Sequence, residues 1–219
     1  MSTLALMRLL ESAPARYDLG IRLLTLGKID QVRHTLAEAA VRSVGARVLE
    51  IGCGTGEVTE KLIARGAHVT AVDQNPEMVE RARARLAHST PDSITFVERT
   101  ASEIDAFPEC SFDAVIASLS LSEMSHQERV FVLKCALHAL RPGGVIAIAD
   151  EVRSRSFINR ALQTVVRGPQ AALGWLVVGS VSSPIPNLAA ELAAAGFVIR
   201  NERRWLLETL AVVIAERRP

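Results

Sequence analysis

An excess of charge is the first thing this sequence lacks. Its 25 Lys plus Arg nearly cancel its 24 Asp plus Glu, for a formal net charge of +1. That balance provides no general attraction to nucleic acid and leaves only local basic patches to consider. Cysteine is scarce: Cys53, Cys110 and Cys135 are an odd number with no CxxC spacing. They cannot all pair internally and form no zinc pattern, so no metal site is expected and a reducing, cytoplasmic setting is the simplest home. Long apolar runs are also missing. The most apolar stretch, Ala161–Val181, is broken by Arg167, Gly168 and Pro169, which argues against insertion in a membrane. Met1–Leu10 is apolar but short, with Arg8 inside it and Glu11 just after. An amphipathic helix is expected there rather than a signal peptide. Internal repeats and low-complexity segments are absent as well.

What is present is enough apolar residue, 49% of 219, to bury the core of one domain. Strand and helix patterns alternate, the signature of a parallel α/β sheet. Short apolar runs, typical of strands covered on both faces, occur at Arg47–Ile51, His68–Asp73, Ile94–Glu98, Phe112–Ser118 and Val145–Asp150. Helices fit between them at Glu57–Ala64, Pro76–His88 and His126–Leu140, with Asn75 as an N-cap before Pro76. Arg141-Pro142-Gly143-Gly144 reads as the turn into the fifth strand. Later, Leu188–Ala195 reads as a helix, and Phe197–Asn201 and Leu206–Ala215 as two closing strands. The pattern predicts one domain over 1–219. It comprises an N-terminal helical lid (1–45), a core (46–150), a helical cap insertion (151–186) and a C-terminal helix with strands (187–219).

The most informative residues are Val48-Leu49-Glu50-Ile51-Gly52-Cys53-Gly54-Thr55-Gly56. A buried strand ends in an acid and then a GxGxG turn, where glycine permits close approach of a ligand and left-handed dihedrals. The following helix aims its free N–H groups and positive dipole end at that turn. A dinucleotide fingerprint reads GxGxxG; here Glu57 follows Gly56, placing a carboxylate where a pyrophosphate would sit. About twenty residues on, the second strand ends at Asp73, the spacing at which an acid meets a ribose in nucleoside-binding α/β folds. A turn cap is the simpler alternative for Asp73.

These segments resemble the class I S-adenosylmethionine (SAM)-dependent methyltransferases, in their small-molecule, UbiE-like branch. Val48–Gly56 is similar to motif I, and Val72-Asp73-Gln74-Asn75-Pro76-Glu77-Met78 to the acidic segment after it. Ser111-Phe112-Asp113-Ala114-Val115 and Leu140-Arg141-Pro142-Gly143-Gly144 resemble the entries to the fourth and fifth strands. The motifs run in family order over about residues 46 to 150, and more loosely from Leu188 onward. The resemblance implies a Rossmann-like, mostly parallel seven-stranded sheet with an antiparallel last strand and helices on both faces.

It also implies SAM as cofactor and S-adenosylhomocysteine as product. Gly52, Cys53, Gly54 and Gly56 would pass under the methionine part and ribose, with Glu50 near the amino group. Asp73 would hold the ribose, Gln74 and Met78 would border the adenine, Ala101 would meet its edge, and Ser118 would lie beside the methionine. Thr100 stands where many relatives have an aspartate that accepts from the adenine amine. A neutral hydroxyl makes that bond less strongly.

Methyl transfer from a sulfonium is an in-line displacement whose demands are alignment and exclusion of water. A base is needed only if the acceptor must lose a proton. The candidates are Glu123 and His126 after the fourth strand, Asp150 and Glu151 after the fifth, and Tyr17 in the lid. For Glu123 the plain alternative is an ordinary helix cap; for Cys53 it is packing. Tyr17-Asp18 resembles the "YD" element of small-molecule methyltransferase lids. The apolar residues of 156–178 suggest a pocket wall or a homodimer contact, and Arg153, Arg155, Arg160 and Arg167 either an anion contact or a solvated face. Glu11–Asp30 is similar to methyltransferases found alongside corrinoid proteins, which implies a protein partner. The resulting expectation is an enzyme acting on the oxygen, nitrogen or carbon of a small molecule. A nicotinamide oxidoreductase, a non-catalytic SAM-binding protein and an RNA methyltransferase are the alternatives.

Overall fold

In a computed structural model, residues 18, 21–22, 25–89, 91–156 and 184–219 are described. The expectations for Tyr17, for Met1–Leu10 and for the insertion at 157–183 lie outside them. In chain order the elements are α1 (Lys28–Ala40), β1 (Arg47–Ile51), α2 (Glu57–Ile63), β2 (His68–Asp73), α3 (Pro76–Arg85) and β3 (Ile94–Glu98). Then come β4 (Phe112–Ser118), α4 (His126–Ala139), β5 (Leu140–Glu151), α5 (Leu188–Ala194), β6 (Phe197–Trp205) and β7 (Leu210–Arg217). Single 3₁₀ turns occupy Pro91–Ser93, Ala101–Ala106 and Leu121–Glu123.

The seven strands form one sheet in the order β3-β2-β1-β4-β5-β7-β6. β1 to β5 pair in parallel, and β7 runs antiparallel to both β5 and β6. This is the Rossmann-like sheet the sequence implied. Strand alternation divides its side chains between two covered faces. Leu49, Ile51, Val115, Ile146 and Ile148 pack against Val132, Leu133 and Ala136 of α4 and Leu188 and Leu192 of α5. Val48, Val69, Ala114, Ile116, Val145 and Ala147 pack against Ile29, Val32 and Leu36 of α1 and Val58 and Leu62 of α2. Among the described residues no helix is long and apolar enough to cross a membrane.

β1 to β4 run over the residues predicted for them, but β5, β6 and β7 do not. β5 begins five residues earlier than the apolar run, because Leu140 pairs with Phe112 before the register shifts at Ala114. The predicted Arg141–Gly144 turn is therefore an irregular start of the strand. Gly143 takes a φ of +74°, and a Cβ on Gly144 would stand 2.8 Å from the Arg141 carbonyl oxygen, so the irregularity needs both glycines. β6 extends to Trp205 and β7 starts at Leu210, not Leu206. Leu206, Leu207 and Glu208 all have positive φ and form the hairpin turn, with Leu207 56% exposed. Apolar composition marked them as strand; their left-handed backbone excludes it.

Because β4 follows β3 but lies beside β1, the chain reverses its direction of travel across the sheet there. Ligands of open α/β sheets bind in the crevice at the carboxyl ends of the strands at such a point.

Candidate nucleoside-binding site

A cavity of about 330 Å³ opens at that crevice. Its floor is the glycine turn. The Gly52 and Cys53 amides donate to the Val72 carbonyl at 2.8 and 3.0 Å, tying the end of β1 to β2. Gly52, Gly54 and Gly56 all have positive φ, +73°, +53° and +81°, but they are glycine for different reasons. A Cβ on Gly52 would lie 2.6 Å from the Ser120 Cβ, whereas one on Gly54 would meet nothing within 4 Å. Gly54 thus leaves open space on the cavity side, and Gly56 N-caps α2 against Ala82.

Asp73 closes the second side. Its Oδ2 accepts the Gly54 amide at 2.8 Å and its Oδ1 the Asn75 amide at 2.9 Å. Burial pushes this carboxyl up, while amides of Asn75, Gly54 and Gln74 pull it down. A carboxylate has about four acceptor sites, so capacity remains for a hydroxyl donor. Asp73 is therefore both a turn cap and a wall of the cavity.

Of the other expected residues, Gln74, Met78, Thr100, Ala101, Ser118 and Glu123 line the cavity. Thr100 is engaged: its hydroxyl donates to Glu103 Oε2 at 2.9 Å in a capping box that starts the 3₁₀ turn 101–106. Glu50, Cys53, Gly56 and His126 are not among the lining residues. Glu50 points to the α1–α2 face, 1% exposed, and accepts from the Thr59 hydroxyl at 2.6 Å. Burial there raises its carboxyl to about 8, against the pull of Thr59. Burial likewise pushes the Cys53 thiol up, with Glu50 and Asp73 adding to it, which fits packing rather than reactivity. His126 is the first residue of α4, 68% exposed, with Nδ1 3.5 Å from Glu191.

Sequence reasoning missed Arg99, Leu119, Ser120, Met124, Glu128 and Val132 on the walls. It also missed an ion cluster behind the turn. Arg85 donates to the Thr55 carbonyl oxygen at 2.8 Å, to Glu57 at 2.6 Å and to Asp18. Arg33 reaches Glu57 at 3.0 Å, and the Thr55 hydroxyl donates to Asp18 at 2.7 Å. Glu57, which argued against a pyrophosphate, is held by two arginines that would otherwise invite one. Asp18, the neighbour of Tyr17, docks on the glycine turn.

Residues 48–144 match a family model described as a methyltransferase domain. A demethylmenaquinone methyltransferase of Clavibacter sepedonicus is 34% identical over 64% of this chain and 55% of its own length. An O-methyltransferase of ubiquinone biosynthesis from Xylella fastidiosa is 36% identical over 63% and 52%. The chain thus spans about half the length of these two relatives. Among solved structures, a Burkholderia thailandensis 1,6-didemethyltoxoflavin N1-methyltransferase with bound S-adenosylhomocysteine superposes with a TM-score of 0.69. It is 19% identical, with 96% of this chain and 88% of that one covered. The [4+2]-cyclase SpnF superposes with a TM-score of 0.68 at 20% identity, covering 86% and 81%.

Proposed function

We propose that this chain, whose residues 48–144 match the methyltransferase-domain model, is a class I SAM-dependent methyltransferase that, as one domain over 1–219, methylates a small-molecule acceptor. The observation that carries the reading is the pairing of Asp73 with the Gly54 amide beside the open space over Gly54. It puts a hydroxyl-binding carboxylate next to a backbone that a ligand can approach closely. SAM, when bound, supplies a methyl group on a positively charged sulfur. The fold by itself does not fix the reaction, as the cyclase with the same fold illustrates.

The work of the chain is placement. Asp73 would take the ribose hydroxyls, and Gln74, Met78 and Ala101 would flank the base. Gly52, Gly54 and Ser118 would lie along the methionine. Leu119, Met124 and Val132 give the cavity apolar walls, which exclude water from the displacement and suit an aromatic acceptor such as the quinols implied by the relatives' names. Glu123 stands on the same wall and serves to orient the acceptor's hydroxyl or take its proton. With a phenolic acceptor, Glu123 would take the hydroxyl proton and bound SAM would supply the methyl group.

The test is formation of S-adenosylhomocysteine from SAM with a naphthoquinol, a catechol and a primary amine as acceptors. Product with the quinol or catechol, a loss of turnover of about 10²–10⁴-fold in Glu123→Gln and SAM affinity kept within twofold are expected. Tight SAM binding with no product from any class would favour the non-catalytic binder.

A further inference from the structure

The wall that carries Glu123 and Met124 is a short, irregular segment, Ser120–Ser125, and its shape comes from charged groups that are not cavity-lining residues. Asp150, near the end of β5, is fully buried. Its Oδ2 accepts the amides of Leu121 at 2.8 Å and Ser122 at 3.2 Å, and its Oδ1 that of Glu151 at 2.7 Å. The Ser122 side chain bonds it as well. At the far end, Arg129 of α4 donates to the Met124 carbonyl oxygen at 2.7 Å. The rest of its guanidinium is held by Glu191 of α5 in a two-pronged pair at 2.8 and 2.9 Å. Arg129 is 6% exposed. At the near end, the Ser120 hydroxyl donates to the Ile51 carbonyl oxygen at 3.1 Å. β1, β5 and, through Arg129, α5 thus converge on six residues.

We propose that Asp150 and the Arg129–Glu191 pair are positioning residues that hold the Ser120–Ser125 segment as the acceptor-side wall of the cavity. This rests on the reading of Glu123 as acceptor-facing. A fully buried carboxylate that accepts several donors at one turn is costly unless its bonds are made, and those bonds end on the turn that presents Glu123. Glu191 explains why α5, outside the cofactor-binding core, is tied to the site: its carboxylate fixes the guanidinium that caps Met124.

Burial raises the Asp150 carboxyl to about 6, while the bonds from Ser122 and Leu121 and the Arg129 charge favour the anion. At pH 7.5 the group is ionised, and its two oxygens accept the amides of Leu121, Ser122 and Glu151.

Amide hydrogen exchange of the ligand-free protein, read on peptides covering 119–125 and corrected for intrinsic rates, tests this without an acceptor. Its result stands whether or not the chain transfers methyl groups. In Asp150→Asn at pH 7.5, exchange should be at least fivefold faster in this peptide alone. Glu191→Gln, a milder change, should speed exchange at 123–125. SAM titrated into Asp150→Asn should bind within twofold of wild type. Unchanged exchange in both variants would overturn the assignment. A tenfold loss of SAM affinity in Asp150→Asn would place the turn on the cofactor side instead and overturn it equally.

Discussion

Replacing Glu50 by Gln should stabilise the ligand-free protein, and by an amount that depends on pH. The carboxyl is buried behind the glycine turn, and burial raises it from 4.5 to about 8. Below pH 4.5 it is neutral in both folded and unfolded chains and makes no difference between them. Above that the unfolded chain releases the proton while the folded one keeps it, so stability falls as pH rises, until both are ionised above about 8. Each unit in this window costs about 1.4 kcal/mol. The burden is then about 3 kcal/mol at pH 7 and about 5 kcal/mol at pH 8 and beyond. Gln keeps an oxygen for the Thr59 hydroxyl, now 2.6 Å from Glu50 Oε2, and carries no proton to lose. Urea unfolding at pH 5, 6, 7 and 8 reads the difference directly. The variant should exceed the wild type by less than about 1 kcal/mol at pH 5 and by about 3 kcal/mol at pH 7. Parallel profiles for the two proteins, or a variant less stable than wild type at pH 8, would refute the argument.

Two glycines of one turn should separate stability from binding. Gly52→Ala forces a side chain into left-handed backbone and against Ser120, and should cost about 1–3 kcal/mol in urea unfolding from the backbone alone. Gly54→Ala meets no protein atom, so its SAM affinity should fall at least tenfold while its stability falls no further than its backbone requires. Arg85→Ala removes the bonds to Thr55, Glu57 and Asp18. It should lower stability by about 1–2 kcal/mol and weaken SAM binding several-fold, both measurable by unfolding and titration.

The central strands were legible because a parallel sheet covered on both faces demands continuous apolar runs, and Arg47–Ile51 or Phe112–Ser118 can hardly be anything else. The hairpin at Leu206–Thr209 was not legible, since three apolar or acidic residues with left-handed backbone leave no local signal of a turn. The same limit explains the site. Gly52, Gly54 and Asp73 act through backbone and spacing, which a sequence displays, and the resemblance carried Gln74, Met78, Thr100, Ala101 and Ser118 to the cavity. Glu50, by contrast, sits on the opposite face of β1, as the alternation with Leu49 and Ile51 requires. Met124 reaches the cavity from a segment bonded to Asp150 and Arg129, and Glu128 and Val132 from the helix that follows, a convergence that local spacing does not display. Asp18, Arg33, Glu57 and Arg85 meet from four stretches of chain, and no spacing rule joins them.

The most direct test of the account is calorimetric titration of wild type and Asp73→Ala with SAM and with NADH. The geometry predicts micromolar SAM binding to the wild type, weakened at least tenfold, or about 1.4 kcal/mol, in Asp73→Ala, and no binding of NADH. Binding of NADH in place of SAM, or SAM affinity untouched by the loss of Asp73, would contradict it.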